Sequence, residues 1–220
     1  MFEAAIFDWD GTLADTRHSI VVSFHRALKE HGLDVSTTYI ERRIGIGASV
    51  TFRDILSSQN RVVDEQLVKR LVARKSEVQV ELANKVQLFP GAIELLASLQ
   101  TELHVALASM NNQNVIGHLL KIKGLTNCFE VITTGDLVSR SKPDPEIFLK
   151  TAKALNIIPQ RCVVFEDSIF GVKAAKSAGM NCVAVSTGVY NANELQKEKP
   201  DLVVKTLTDP KIASFIHIKK

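Results

Sequence analysis

Residues 4–15 are AAIFDWDGTLAD, a short apolar run that is followed at once by two acids and a glycine. Four consecutive apolar residues are typical of a strand that is buried on both faces of a sheet. Asp8 and Asp10 stand two positions apart after this run, so their side chains can point toward the same place. Ligands of open α/β sheets bind at the carboxyl ends of the strands. The stretch therefore predicts a buried strand that ends in a functional site.

Five more apolar runs follow along the chain, and helical patterns occur between them. The runs cover residues 105–108, 131–133, 162–165, 182–185 and 202–204. Apolar residues recur at helical spacing in the intervening segments, as in residues 92–99 and 115–120. Strands that alternate with helices predict an α/β fold with a doubly wound, Rossmann-like parallel sheet.

The stretch from residue 15 to residue 86 interrupts this alternation, because it contains no convincing buried strand. Phe24 and Leu28 follow helical spacing in its first half, and a longer helical pattern occupies its second half. We therefore expect an inserted helical cap domain at residues 15–86. The core domain would then be formed by residues 1–14 and 87–220.

Composition and charge describe an ordinary globular chain of 220 residues, with 45% hydrophobic and 23% charged residues. The net charge of +3 is too small to predict a nucleic-acid partner. The three cysteines are far apart, which gives no metal-binding pair and suits a reducing compartment. No secretory signal and no apolar run of membrane-spanning length is apparent. We expect a cytoplasmic protein, as a monomer or a weak homodimer, that binds neither nucleic acid nor a membrane.

The paired acids after the first run suggest a cation site. Two neighbouring carboxylates repel each other, so both stay ionised only beside a cation. Magnesium suits such a place, since it prefers oxygen ligands and accepts a substrate phosphate as a further ligand. The plain alternative is a turn with two solvated acids. Asp, Asp, Gly and Thr at this spacing should arise by chance on the order of once in a thousand chains of this length, which favours a site.

Three further segments follow other apolar runs, and each is a weak signal alone. Ser109 precedes N–H groups near Asn111 that can cradle a phosphate, although a serine there is more often a helix cap. Lys142 lies in a segment stiffened by two prolines, where a fixed cation can neutralise phosphate, although an exposed lysine is commoner. Glu166 and Asp167 offer metal oxygens, although an acid there is commonly a helix cap. Because each segment follows a strand, all of them can converge at one sheet edge.

The order of these segments resembles the haloacid dehalogenase superfamily, in the branch that carries a small helical cap after the first strand. Phosphoglycolate phosphatases and β-phosphoglucomutases belong to that branch. The resemblance extends over nearly the whole chain, and the cap is its least specific part. It implies a magnesium-dependent phosphatase, a phosphoric monoester hydrolase whose substrate is a small phosphorylated metabolite such as phosphoglycolate or a sugar phosphate.

The resemblance also implies catalytic and phosphate-binding roles. Asp8 would be the nucleophile that forms an aspartyl-phosphate, and Asp10 would be the general acid and then the general base. Lys142 would be catalytic and would also bind the phosphoryl group, together with Ser109 and Met110.

The same resemblance implies a set of magnesium ligands. Asp8, the backbone carbonyl of Asp10, and Asp167 would hold the ion, with Glu166 and Thr12 close behind them. Asp10 also favours phosphoryl transfer, since the dehalogenases that name the superfamily lack this second acid.

The core motifs do not separate a phosphatase from a β-phosphoglucomutase. A mutase must bind a second phosphate, and the resemblance implies an arginine in its cap loop. The matching segment here, residues 45–49, has no cation, which weakens that interpretation. Arg42, Arg43, Arg53 and Lys75 are cap cations that could contact a substrate, although a solvated helix surface is an equal alternative. A binding protein without turnover is a more distant alternative.

Overall fold

A six-stranded parallel sheet forms the centre of the structure, a computed structural model that describes residues 1–216. The strands, numbered along the chain, are β1 (Ala4–Phe7), β2 (Ala14–Asp15), β3 (Gln87–Leu88), β4 (His104–Ser109), β5 (Val131–Thr134), β6 (Cys162–Glu166), β7 (Asn181–Val185) and β8 (Leu202–Val204). The central sheet has the order β5-β4-β1-β6-β7-β8, and every neighbouring pair is parallel. All six predicted runs are strands of this sheet, which confirms the predicted α/β class.

Helices cover both faces of the sheet. The α-helices of the described residues are α1 (Arg17–Lys29), α2 (Thr37–Glu41), α3 (Ala48–Ser58), α4 (Glu65–Glu81), α5 (Ala92–Leu99), α6 (Gln113–Lys123), α7 (Glu146–Ala154), α8 (Ile169–Ser177), α9 (Ala192–Gln196) and α10 (Lys211–Ile216). Of these, α5 to α10 pack on the sheet. Ala5 and Phe7 of β1 pack in one apolar cluster with α5, α6 and α10. Ala4 and Ile6 pack in another with α7, α8 and α9. A strand with apolar partners on both sides needs an apolar residue at every position, which explains its unbroken run.

The helices α1 to α4 form an apolar cluster of their own, separate from the two clusters on the sheet. Phe24 of α1 and Phe52 of α3 lie at its centre, with their ring centroids 4.7 Å apart. The chain enters this insertion through β2 and leaves it through β3, and these two strands pair antiparallel. The exact domain boundaries stay a prediction.

Two parts of the insertion were not predicted as helices. Helix α2 is too short to show a helical period. Helix α3 was overlooked, although Phe52, Ile55 and Leu56 follow helical spacing. The C-terminal run 212–218 fitted either a helix or an edge strand. Its part up to Ile216 belongs to α10, and the remainder lies outside the described residues. Within residues 1–216 no helix is both long and apolar enough to cross a membrane.

Candidate active site

Asp8 directly follows β1, the third of the six strands across the sheet, and contacts a buried lysine. Lys142 Nζ donates hydrogen bonds to Asp8 Oδ1 at 2.6 Å and to Glu166 Oε1 at 2.7 Å. The Lys142 side chain is fully buried, and both carboxylates are nearly so. The structure thus brings together residues from three segments that lie far apart in the sequence.

The protonation of this group follows from burial and from its charges. Burial raises the pKa of Asp8 to about 8, and Lys142 opposes the shift while Glu166 and Asp10 add to it. Although burial alone would lower the pKa of Lys142, the two adjacent carboxylates raise it, so the ammonium stays charged. One lysine therefore does not fully compensate the buried acids, and a further cation is favoured beside Asp8.

Asp10 has a separate set of hydrogen-bond donors. Thr16 Oγ1 donates to Asp10 Oδ1 at 2.8 Å, and Asn111 Nδ2 donates to Oδ2 at 2.6 Å. Ser109 Oγ also donates to Oδ2, at 3.3 Å. Burial raises the pKa of Asp10, in spite of these donors and of Lys75 nearby. A buried carboxyl group with a raised pKa can carry a proton, which suits an acid beside a nucleophile.

Lys75 of α4 reaches this network from the insertion. Its Nζ donates to Asn111 Oδ1 at 2.8 Å, so Asn111 connects the lysine to Asp10. Burial lowers the pKa of Lys75 to about 8, while the charge of Asp10 raises it. Lys75 therefore contacts the acid network rather than bulk solvent.

We expect Lys75→Met to be more stable than the wild type at pH 7 by about 2 kcal/mol. The pKa falls from 10.5 to about 8 on folding, which costs about 3 kcal/mol, and the lost hydrogen bond to Asn111 offsets about 1 kcal/mol. Between pH 8 and 10.5 the unfolded chain binds more protons than the folded one, so wild-type stability rises and the difference shrinks. Urea unfolding between pH 8 and 10.5 measures this difference in the free energy of unfolding.

Lys69→Met is the matched control for this prediction, because Lys69 is an exposed lysine on the same helix. A substitution at this exposed position should leave the free energy of unfolding nearly unchanged. A Lys75→Met difference that stays constant between pH 8 and 10.5 would show that Lys75 does not titrate as described.

Asp167 is held in a narrow space beside the loop that follows Asp10. Thr12 Oγ1 donates to Asp167 Oδ1 at 3.0 Å. A Cβ atom at Gly11 would lie 2.2 Å from Asp167 Oδ2, and one at Gly188 would lie 1.7 Å away. Gly11 also has a φ of +86°, which L side chains rarely adopt. Both glycines are therefore needed to admit the carboxylate.

The donor set around Asp8 fits a hard cation. Within residues 1–216, no three His, Cys, Asp or Glu side chains are arranged so that they could hold a metal ion by themselves. The implied set contains only two carboxylates, those of Asp8 and Asp167, and its third donor is the Asp10 carbonyl. Burial raises the pKa of Asp167 well above its usual range, and the charges of Glu166 and Asp8 add to this. Buried acidic oxygens without enough compensating charge suit magnesium.

A cavity lies between the sheet edge and the insertion. Asp8, Asp10 and Met110 line it from the sheet side, and Arg43 and Lys75 line it from the insertion. The predicted nucleophile, the predicted acid and two of the predicted cap cations therefore face one space.

Arg42 does not line this cavity, so the suggested substrate contact of Arg42 is not supported. Its Nη2 donates to Glu194 Oε1 at 2.7 Å, and its guanidinium lies 4.2 Å from the centre of the Tyr190 ring. The Tyr190 hydroxyl donates to the Arg42 carbonyl at 2.6 Å. Arg42 instead joins the insertion to the segment around α9.

The sequence analysis missed Thr16 as a donor to Asp10, and it gave no role to the side chain of Asn111. Its backbone N–H, which was expected to face a phosphate, donates to Ser109 Oγ at 3.1 Å. Its side chain lies between Lys75 and Asp10 instead. An asparagine after a strand gave no sign of this role, because Lys75 lies 36 positions away. Glu166 accepts hydrogen bonds from Lys142 Nζ and from the backbone N–H and the hydroxyl of Ser168.

Comparison with known proteins agrees with this geometry. The model of the haloacid dehalogenase-like hydrolases matches residues 5–185. The chain belongs to this family. The predicted family and enzyme class, a phosphoric monoester hydrolase, are thereby confirmed.

Individual members of the family resemble the chain over most of its length. A phosphorylated-carbohydrate phosphatase of Thermotoga maritima is 35% identical over 81% of this chain and 82% of the relative. A phosphoglycolate phosphatase of Pseudomonas putida is 29% identical over 92% of this chain and 76% of the relative. The crystal structure of β-phosphoglucomutase from Clostridium difficile superposes with a TM-score of 0.87, at 29% identity, covering 99% of this chain and 98% of that one.

Proposed function

We propose that the chain is a magnesium-dependent phosphatase that hydrolyses small phosphate monoesters, phosphoglycolate-like or sugar phosphates, through an aspartyl-phosphate on Asp8. The observation that carries this proposal is the buried Asp8 carboxylate at the end of β1, 2.6 Å from Lys142 Nζ. Asp10, with its own donors, lines the same cavity. A nucleophile and an acid in one cavity meet the needs of a two-step phosphoryl transfer.

In the first step, a carboxylate oxygen of Asp8 forms a bond to phosphorus while the bond to the leaving oxygen breaks. Asp10 gives its proton to that leaving oxygen. In the second step, Asp10 takes a proton from water as the water oxygen attacks phosphorus and Asp8 leaves. Lys142 carries a fixed positive charge beside Asp8 through both steps, and such charge neutralisation is the main requirement of phosphoryl transfer.

Magnesium would be held by Asp8, the carbonyl of Asp10, and Asp167. When bound, it would supply positive charge to the phosphoryl oxygens. Thr12 fixes the orientation of Asp167 through their hydrogen bond. Glu166 is the second carboxylate partner of Lys142, so its role is to position that lysine.

The alternative is a sugar-phosphate mutase. Such an enzyme must bind a second phosphate, and Arg43 provides a cation in the cavity although residues 45–49 do not. Phosphatase and mutase share the first step, so only the product separates them.

The test is phosphate release from a panel of phosphate monoesters with magnesium. The panel contains 2-phosphoglycolate, sugar phosphates and nucleotides, and β-glucose 1-phosphate is also followed for conversion to glucose 6-phosphate. We expect phosphate release that excess chelator stops and added magnesium restores. Isomer conversion without phosphate release would make the protein a mutase. Activity in excess chelator would remove the metal from the mechanism, and no activity on any substrate would favour a binding role.

We further propose a cytoplasmic enzyme whose partner is a small phosphorylated metabolite. Cys128, Cys162 and Cys182 are all free thiols, which supports a reducing compartment. A cavity that is lined from both the sheet edge and the insertion supports a small metabolite as the substrate.

A further inference from the structure

Arg43 is the arginine that lines the cavity with Asp8 and Asp10. It follows α2, two positions before Gly45, which lines the same cavity. The centre of the Tyr39 ring lies 3.7 Å from its guanidinium carbon, and this stacking holds the side chain in place. The side chain keeps 29% of its surface exposed, so the protein encloses it only in part.

The hydrogen-bonding capacity of Arg43 is not used within residues 1–216. Its Nε–H group is buried and has no hydrogen-bond partner there. Asp54 Oδ2 lies 3.5 Å from Nε and offers some compensating charge without a hydrogen bond. Because Arg43 makes this ion pair but no side-chain hydrogen bond in that range, the remaining donors of its guanidinium are available to an acceptor of a ligand in the cavity.

Other arginines of the insertion are engaged differently. Arg17, Arg42 and Arg53 each donate a hydrogen bond of 2.7–2.8 Å to a glutamate. Arg61 is exposed and does not line the cavity. Arg43 therefore combines two properties, a position on the cavity wall and a guanidinium without a hydrogen bond to a carboxylate within residues 1–216.

The lysines near the cavity already have partners. Lys75 Nζ donates to Asn111 Oδ1 at 2.8 Å, and Lys142 lies between Asp8 and Glu166. A second anionic group of a substrate would therefore meet Arg43. A guanidinium offers donors in a fork that matches two oxygens of a carboxylate or a phosphate.

Asp8 and Arg43 line one cavity, Asp8 from the sheet edge and Arg43 from the insertion. A substrate bound in that cavity can therefore have one end at Asp8 and the other at Arg43.

We propose that Arg43 is a specificity-determining residue that selects phosphate monoesters whose leaving group carries a second anionic group, a carboxylate or a further phosphate. This inference rests on the proposed phosphatase function, and it names the class of substrate. Arg43 binds the distal anion, while the chemistry takes place at Asp8.

The test compares substrates with charged and neutral distal ends. The charged ends are those of 2-phosphoglycolate and glucose 1,6-bisphosphate, and the neutral one is that of glycerol 1-phosphate. We expect Arg43→Gln to lower kcat/KM for a charged substrate by about 10- to 100-fold, the size of one charged hydrogen bond, mainly through KM. Glycerol 1-phosphate should be nearly unaffected. Arg43→Lys should restore part of the loss, and Arg61→Gln should match the wild type.

A loss that is equal for charged and neutral substrates, or no loss for any of them, would overturn the proposal. The charged substrate that shows the loss identifies the anion as a carboxylate or a phosphate. If the wild type releases phosphate from none of these substrates, the proposed function has failed. The role of Arg43 can then be tested without turnover, by calorimetric measurement of how tightly the same compounds bind to the Asp8→Asn variant. If the double variant Asp8→Asn, Arg43→Gln binds only the charged ligands more weakly than Asp8→Asn does, the role of Arg43 is supported. Unchanged binding of the charged ligands contradicts it.

Discussion

We expect Asp8→Asn to lose phosphatase activity by a factor on the order of 10⁶, the scale seen when a covalent nucleophile is removed. An amide oxygen cannot form the phosphorus bond that the Asp8 carboxylate forms. The variant should stay folded, because Asn still offers an acceptor to Lys142 Nζ at the position of Asp8 Oδ1. Phosphate release and thermal unfolding, measured on the same preparation, test both parts.

Asp10→Asn provides a graded comparison for this result. Loss of a general acid and base reduces rates by roughly 10²- to 10⁴-fold, which is less than the loss of a nucleophile. The expected order of activity is therefore wild type, then Asp10→Asn, then Asp8→Asn. An Asp8→Asn variant that is as active as the wild type would refute Asp8 as the nucleophile.

We expect Lys142→Met to abolish activity and to lower the free energy of unfolding by roughly 3–5 kcal/mol. The lysine is fully buried and donates to both Asp8 and Glu166. Its removal leaves two neighbouring acids without their cation in a place that excludes water. Chemical denaturation at neutral pH gives the stability, and phosphate release gives the activity.

The double variant Lys142→Met, Glu166→Gln separates the two effects of this lysine. Removal of one negative charge should restore part of the lost stability, because fewer buried acids then lack a partner. Activity should stay lost, since the cation beside the phosphoryl is still missing. A Lys142→Met variant as stable as the wild type would show that the buried ion pairs contribute nothing to folding.

The strands could be predicted from the sequence because a strand covered on both faces is apolar at every position. Residues 4–7 and 162–165 show this directly, and their strands are neighbours in the sheet. The convergence of Asp8, Lys142 and Glu166 followed from the rule that parallel strands end at one edge. Helix α2 was missed because five residues are too few to show a helical period.

The contacts of the insertion could not be predicted in the same way. Arg42 and Arg43 are adjacent and chemically identical, yet one pairs with Glu194 and the other lines the cavity. Lys75 occurs in a helical pattern that gives no sign of its bond to Asn111. Such contacts depend on how the insertion packs on the sheet edge, and periodicity within one segment carries no information on that packing.

The short antiparallel pair of β2 and β3 has a consequence for how this enzyme can diversify. Ala14 pairs with Leu88, and Asp15 pairs with Gln87, so the insertion begins and ends at adjacent points. Chain segments with neighbouring ends can be exchanged without redirecting the host fold. The insertion also has its own apolar cluster. A new set of helices joined at these two points could therefore change substrate preference in evolution while the nucleophile and its strand stay in place.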